Sequence, residues 1–378
     1  MEPYDTLAGT ELFVWGWILP GYKLPIGSFG IPRSCFHFLG YPCYAWPTEQ
    51  IATTMQPDTG IINLDVVVTP QSGAPISGLE QRDFTVLDNN VPQTITSFRA
   101  LHGREAPIET ILVIDDVNTG LEHIAYERSE IDKFLRLDGG NLAHPIALAV
   151  FTVSGVKIQD EFTTDGKALS SVLDQYSIGQ HSIPRSGGVY GAMERFQLSI
   201  VALHQIAVRE VTRPGRKIIL WISPGWPLLA GPSAELNSTE RQQAFTDIVT
   251  LSTLLRQAGI TLYSIDPLGT EDFANRSFHW QAFVKGVSKP DQAEWGDIAL
   301  QVLAVQTGGL ALTTSNDLAG GLGRCLADTQ AYYELSFARS ADQKKNEYHR
   351  IEVRVTKAGV SARTRHSYYS QIMPGGSP

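Results

Sequence analysis

Short apolar strand-like runs, each followed by a stretch of helical periodicity, restrict the fold of this chain more than any other feature. ILVI at 111–114 and IILWI at 218–222 are apolar without alternation, and ITLYSI at 260–265 reads as a further strand. A strand that is apolar along its whole length is covered on both faces, as in a parallel sheet sandwiched by helices. The intervening segments supply those helices. Residues 122–137 place Ile124, Ile131, Phe134 and Leu135 on one side, the spacing of an amphipathic helix. Further helices are expected at 167–175, 189–209, 240–257 (ending at Gly259), 293–306 and 317–328, with a strand at 310–313. Residues 146–153 and 156–162 form an expected hairpin turning at Ser154-Gly155. Repeated β-then-α units imply an α/β body over 106–330 with a mainly parallel central sheet covered on both faces.

The flanks have a different character. IINLDVVVT at 61–69 is β-branched, 70–78 holds two Pro and two Gly, and 84–87 and 94–98 are short strands separated by Asp88-Asn89-Asn90. Short strands with turns between them predict a small β-sandwich-like module over 56–105. At 350–356, Ile351, Val353 and Val355 alternate with Arg350, Glu352 and Arg354, a period of two with one face buried and one wet. This predicts a C-terminal β extension over 331–378, with 332–337 and 363–369 as partner strands. Residues 1–55 are rich in Gly, Pro and aromatics without a sustained period; they read as an irregular leader, disordered or following a misassigned start.

Composition narrows the class. The 378 residues suit two to three domains, and 43% hydrophobic with 18% charged residues suits a chain with a real core. A formal net charge of -9 argues against nucleic acid as a partner. Cys35 and Cys43 could pair if the chain is exported, or stand as free thiols; Cys325 is alone, and no cysteine spacing suggests zinc. No stretch reaches the roughly 18 apolar residues of a spanning helix. LFVWGWILP at 12–20 is short and preceded by Glu2, Asp5 and Glu11, a poor secretion signal.

ILVIDDVNT at 111–119 resembles the first strand and loop of a von Willebrand factor A-type (VWA) domain. The layout resembles the acidobacterial VWFA-related family more narrowly. LDVVVT and GAPISGLEQRDFTVLDNNVPQTITSFR lie upstream; GGVYGAM, GRKIILWISPG, GITLYSIDP, TGG, YYELSF, YHRIEVRV and RTRHSYY follow in order. The match covers roughly residues 58 to 370. It implies a Rossmann-like VWA fold with one site at the carboxyl ends of the central strands, where ligands of open α/β sheets also sit on general grounds. It also implies a secreted, periplasmic or cell-envelope location.

In such domains an Asp-x-Ser-x-Ser loop, a distant Thr and a second Asp hold Mg²⁺ or a similar divalent cation through oxygen ligands. Here Asp115 stands at the first position and Thr119 at the second hydroxyl, so these are the expected metal ligands. Val117 occupies the first hydroxyl position, the distant Thr falls within 186–190 at Gly187 beside Ser186, and Ser223-Pro224-Gly225 replaces the second Asp. The resemblance thus implies a degenerate metal-ion-dependent adhesion site. Asp115, Asn118, Thr119, Ser223, Trp226 and Asp266 are the expected ligand-binding residues.

Structural roles compete for each of these. Asp115 could accept loop amide hydrogen bonds while Asn118-Thr119 cap the next helix. Asp266-Pro267 could simply open a turn. Trp221 reads as core and Trp226 as a surface anchor. Gly187-Gly188 and Gly320-Gly321 fit no phosphate loop. Lys344, Lys345, His349, Arg350, Arg354, Arg363, Arg365 and His366 form a basic run; it could meet an anionic surface, or be the wet face of a β module. No GxSxG elbow, HExxH or P-loop is present, and His123 near Asp115 has no nucleophile to serve. The expected function is non-enzymatic binding of a protein or glycan. The alternatives are a cation-independent scaffold whose β modules carry the contacts and an unrecognised hydrolase.

Overall fold

The computed structural model describes residues 59–103, 108–176, 188–227, 235–268, 280–313, 315–340 and 343–371. The expected leader at 1–55, with Cys35 and Cys43, lies outside the described residues. Strands β1 (Ile61–Pro70), β2 (Phe84–Asp88), β3 (Val91–Gln93) and β4 (Ile95–His102) come first. Next are β5 (Ile108–Asp115), α1 (Leu121–Leu135), β6 (Asn141–Thr152), β7 (Gly155–Ile158), β8 (Thr163–Asp165), α2 (Gly166–Gln175) and α3 (Gly188–Glu210). The order continues with β9 (Arg216–Ile222), α4 (Ser238–Gln257), β10 (Ile260–Ile265), α5 (Leu300–Gln306), β11 (Ala311–Leu312) and α6 (Leu318–Leu326). Four strands close it: β12 (Ala331–Ala338), β13 (Tyr348–Val355), β14 (Val360–Arg363) and β15 (Ser367–Tyr369).

The central sheet has seven strands in the order β11-β10-β9-β5-β6-β7, with β8 also pairing β6. Its inner pairs are parallel, and β7 and β8 add to β6 antiparallel. β5 lies inside, with Thr110 opposite Ile146 on one side and Ile218 on the other. Ile111, Leu112 and Val113 are fully buried, because helices cover both faces; that is why the run shows no alternation.

The fold is mixed α/β, with this mainly parallel sheet and two antiparallel ones. These are four-stranded, in the orders β14-β1-β12-β4 and β15-β13-β2-β3. Each draws strands from both ends of the described chain. The module expected at 56–105 and the extension expected at 331–378 are therefore one interleaved sandwich. The physical reason lies in its core. Ile62, Leu64, Val66 and Val68 of β1 bury against Tyr333, Leu335 and Phe337 of β12 and Ile351 and Val353 of β13. Val67 of β1 and Tyr332 of β12 instead join the core of the α/β body.

One helix is shorter than its periodicity predicts. Of residues 293–306, only Leu300–Gln306 form the α-helix, preceded by a 3-10 turn at Trp295–Ile298. Ala299 is extended (φ -62, ψ 146). Gly296 lies against the Phe283 ring, where a Cβ would come within 2.5 Å of the ring carbons.

Candidate functional site

β5 ends at Asp115, and its carboxylate organises the loop that follows. Oδ1 accepts the backbone N–H of Val117 at 3.1 Å and of Asn118 at 2.9 Å, the Asx-type local bonding that favours a turn. Oδ2 accepts Asn118 Nδ2 at 2.8 Å and Trp221 Nε1 at 2.9 Å. A carboxylate has about four lone-pair sites, and four protein donors fill them. Asp115 is fully buried. Burial pushes its carboxyl above the usual range, against the pull of hydrogen bonds from Trp221 and Asn118.

Asn118 is buried, and its amide also donates to Ser199 Oγ of α3 at 2.9 Å. Thr119 is buried, and its backbone N–H donates to the Asp115 carbonyl at 3.2 Å. Neither side chain caps the next helix: Gly120 is the N-cap of α1, with no side-chain cap hydrogen bond. The Asn118 amide is turned inward instead, where it meets the Asp115 carboxylate.

The neighbouring strand ends follow the sheet order. Ser223, after β9, is fully buried and accepts the Gly225 N–H at 3.1 Å. Gly225 has φ +105, a conformation that strains other residues, and a Cβ there would strike the Gln301 amide. Asp266, after β10, is 9% exposed, and its Oδ1 accepts the Leu268 N–H at 2.8 Å, the turn role open to an Asp before Pro. A small cleft of about 160 Å³ lies beside Asp266, lined also by Ser315, Asp317 and Arg324.

Trp226 differs from expectation. It is 4% exposed and packs edge-on to Trp221, ring centroids 5.4 Å apart. The turn at Ser223-Pro224-Gly225 brings its indole over Trp221, so Trp226 is core and not a surface anchor. Among the described residues, exposed large side chains toward this end of the sheet include Leu121, at the start of α1, and Tyr190, in the first turn of α3, at 57% and 79%.

Glu127 of α1 is a site residue that the sequence reading missed. It is 2% exposed, and among the described residues neither carboxyl oxygen meets a donor in hydrogen-bonding geometry. Burial, then the charges of Asp115, Asp116 and Asp266, push its carboxyl well above the usual range, while the Thr119 hydroxyl pulls the other way. The signal was present: Ile124, Glu127, Ile131 and Phe134 follow the three- and four-residue spacing of one helix face. Glu127 therefore sits where an apolar side chain would be expected.

A divalent cation does not fit the Asp115–Thr119 donor set. Asp115 already accepts four protein hydrogen bonds, and Val117, where a hydroxyl ligand was expected, is a buried hydrocarbon side chain. Among the described residues no group of three or more His, Cys, Asp or Glu side chains is arranged to hold a metal. Ser186 and Gly187, where the distant hydroxyl ligand was expected, lie outside the described residues.

No family model and no curated protein matches this chain. It is similar in part to the human COPII-coat protein Sec24c, at 10% identity and TM-score 0.32, over 73% of this chain and 46% of that one. It is similar to the pilus adhesin SpaC from Lactobacillus rhamnosus GG, open conformation, at 9% identity and TM-score 0.36, over 78% and 49%. A third similarity is to proximal thread matrix protein 1 of the mussel byssus with a zinc-occupied MIDAS motif, at 13% identity and TM-score 0.31, over 64% and 50%. The chain spans about half the length of these structures.

Proposed function

We propose that this chain is a non-enzymatic, VWA-like binding protein that engages a protein or glycan partner at the carboxyl edge of its central sheet without a divalent cation. One observation carries the reading: the Asp115 carboxylate, which would have to ligate the ion, is filled by four protein donors. The polar groups of this edge are used to shape loops. Asp115 shapes the β5 loop, Ser223 the β9 turn and Asp266 the β10 turn. Leu121, which opens α1 directly after the Asp115 loop, and Tyr190, in the first turn of α3, stand exposed, and Tyr is enriched among the side chains that anchor a partner. A secreted, periplasmic or cell-envelope location accords with the VWFA-related sequence layout. No helix among the described residues is long and apolar enough to cross a membrane.

The test is retention of the purified chain on immobilised cell-envelope glycans and envelope proteins, with and without EDTA, alongside thermal melts with Mg²⁺, Mn²⁺ and Ca²⁺. Retention is expected to survive EDTA and to fall in a Leu121→Ala, Tyr190→Ala double variant, with no metal-induced shift in melting. Retention that needs Mg²⁺ and is lost in Asp115→Ala would restore the metal-dependent reading.

A further inference from the structure

The basic run at 344–366 is divided by the structure. Lys344, Lys345, Arg350 and Arg354 are exposed, and Arg363 pairs with Asp328. Arg365, by contrast, is 8% exposed. It lines a cavity of about 760 Å³ between the sandwich strands β1 and β12 and the amino-terminal ends of β9 and β10. This is the opposite end of the parallel sheet from Asp115.

Arg216 and Lys217, which open β9, and Arg256, near the end of α4, line the same cavity. Arg216 and Lys217 are each 2% exposed; Arg216 Nη1 donates to the Asp328 carbonyl at 3.2 Å and Lys217 Nζ to the Arg213 carbonyl, so each keeps further donors rather than all of them. The acidic groups nearby are largely taken. Glu334 pairs with Arg99 at 3.0 Å, and Glu109 with Arg213 at 2.8 Å. Asp65 of β1 lies 3.8 Å from Arg216, and its charge also faces Arg365 and Lys217, although Glu210 and Glu109 act on Lys217 more strongly. Among the described residues the Arg365 side chain makes no hydrogen bond or ion pair, although a guanidinium carries five donors. Burial, and then the neighbouring Arg256 charge, bring its pKa down to about 10, so it is still a cation at neutral pH. A buried guanidinium whose donors meet no acceptor is unfavourable even with the Asp65 charge nearby, and the cavity is the space in which acceptors would stand.

The volume falls in the range of small-ligand sites, roughly 300–1,000 Å³. No Phe, Tyr or Trp lines it, so it offers no face on which a base or sugar ring would stack. We propose that this cavity binds a compact polyvalent oxyanion, phosphate or carboxylate, through Arg365 together with Arg216, Lys217 and Arg256. Planar guanidinium groups pair with either anion through parallel hydrogen bonds, and Lys adds a point charge. In a chain of net charge -9, such a concentration of buried positive charge is selective for a small anion that can enter.

The experiment is a thermal melt and titration calorimetry of the full chain with sodium pyrophosphate and, separately, sodium citrate, against sodium chloride of equal ionic strength. At least one anion is expected to raise the melting temperature by several degrees and to bind with a Kd below about 1 mM. Stronger binding of pyrophosphate identifies a phosphate ligand, and stronger binding of citrate a carboxylate ligand. Arg365→Met is expected to weaken binding about tenfold or more, as loss of charge-assisted hydrogen bonds should. It should melt no lower than the parent without anion, because it removes a buried charge. Arg82→Gln, on the open surface, should bind as the parent does. If Arg365→Met does not fold, Lys217→Met is read in the same way. No shift beyond the chloride control with either anion overturns the proposal, as does undiminished binding in the folded variant.

Discussion

The indole Nε1 of Trp221 donates to Asp115 Oδ2 at 2.9 Å, joining the carboxyl-terminal part of β9 to the carboxyl end of β5. The two strands are neighbours, with Val113 opposite Trp221. The bond therefore runs over one residue pair of the ladder to the loop that the site depends on.

Trp221→Phe keeps an aromatic ring in the core but removes this donor from a buried carboxylate. Hydrogen bonds to charged groups contribute about 1.5–3 kcal/mol each. The variant is expected to lose about 2 kcal/mol of stability, read as a lower urea midpoint with an unchanged slope. A midpoint equal to the parent's would show that the bond is not formed in solution.

Glu127→Gln should stabilise the protein at alkaline pH. The native Glu127 carboxyl is held well above its usual 4.5 by burial and by Asp115, Asp116 and Asp266. Above pH 4.5 the unfolded chain releases a proton that the native state keeps. The stability tied to that proton is complete below pH 4.5 and is lost as pH rises through the native pKa. The Gln variant should match the parent at pH 4 and melt higher at pH 8. A variant that melts lower at both values would contradict this account.

Asp247 of α4 offers a second titration with a defined window. Burial pushes its pKa from 3.8 to about 7, against a hydrogen bond from Gln243 Nε2 at 2.8 Å. Native Asp247 therefore binds a proton between those values that the unfolded chain gives up, so its contribution falls across the window and is flat above about 7. Asp247→Asn keeps an oxygen for Gln243 and should gain on the order of 2 kcal/mol at pH 8 and little at pH 4. Chemical denaturation at the two pH values measures it.

Removing residues 331–378 should unfold the sandwich and leave an aggregating chain. The deletion strips β12 and β14 from β1, and β13 from β2. It also removes His349 and Tyr368, which contact the buried Asp88 carboxylate at 2.9 and 2.7 Å. Loss of cooperative melting is expected. A soluble truncated chain that keeps the parent's β-sheet circular dichroism would mean that residues 59–103 fold alone.

Much of the α/β body was legible because its signal is local. β5, β9 and β10 are buried on both faces, so their residues are apolar without a break or nearly so. α3 and α4 carry their periodicity over many turns, and their observed bounds lie within two residues of the expected ones. The site was legible only as a set of positions. Asp115, Asn118, Ser223 and Asp266 do lie at adjoining strand ends, but whether a carboxylate is open to a ligand depends on donors elsewhere. Those of Asp115 include Trp221, which is 106 positions away.

The amino-acid sequence by itself determined where the main strands and long helices of the α/β body form and that the central sheet is covered on both sides, because burial imposes a period on neighbouring residues. Only the tertiary structure decided that the two ends of the described chain share one sandwich, that Trp226 is core, that Asp115 is filled by protein donors and that Arg365 faces an inner cavity. Each of these depends on which distant segment supplies the opposing surface. That choice is made by packing three-dimensional shapes together, and it leaves no period in the local sequence.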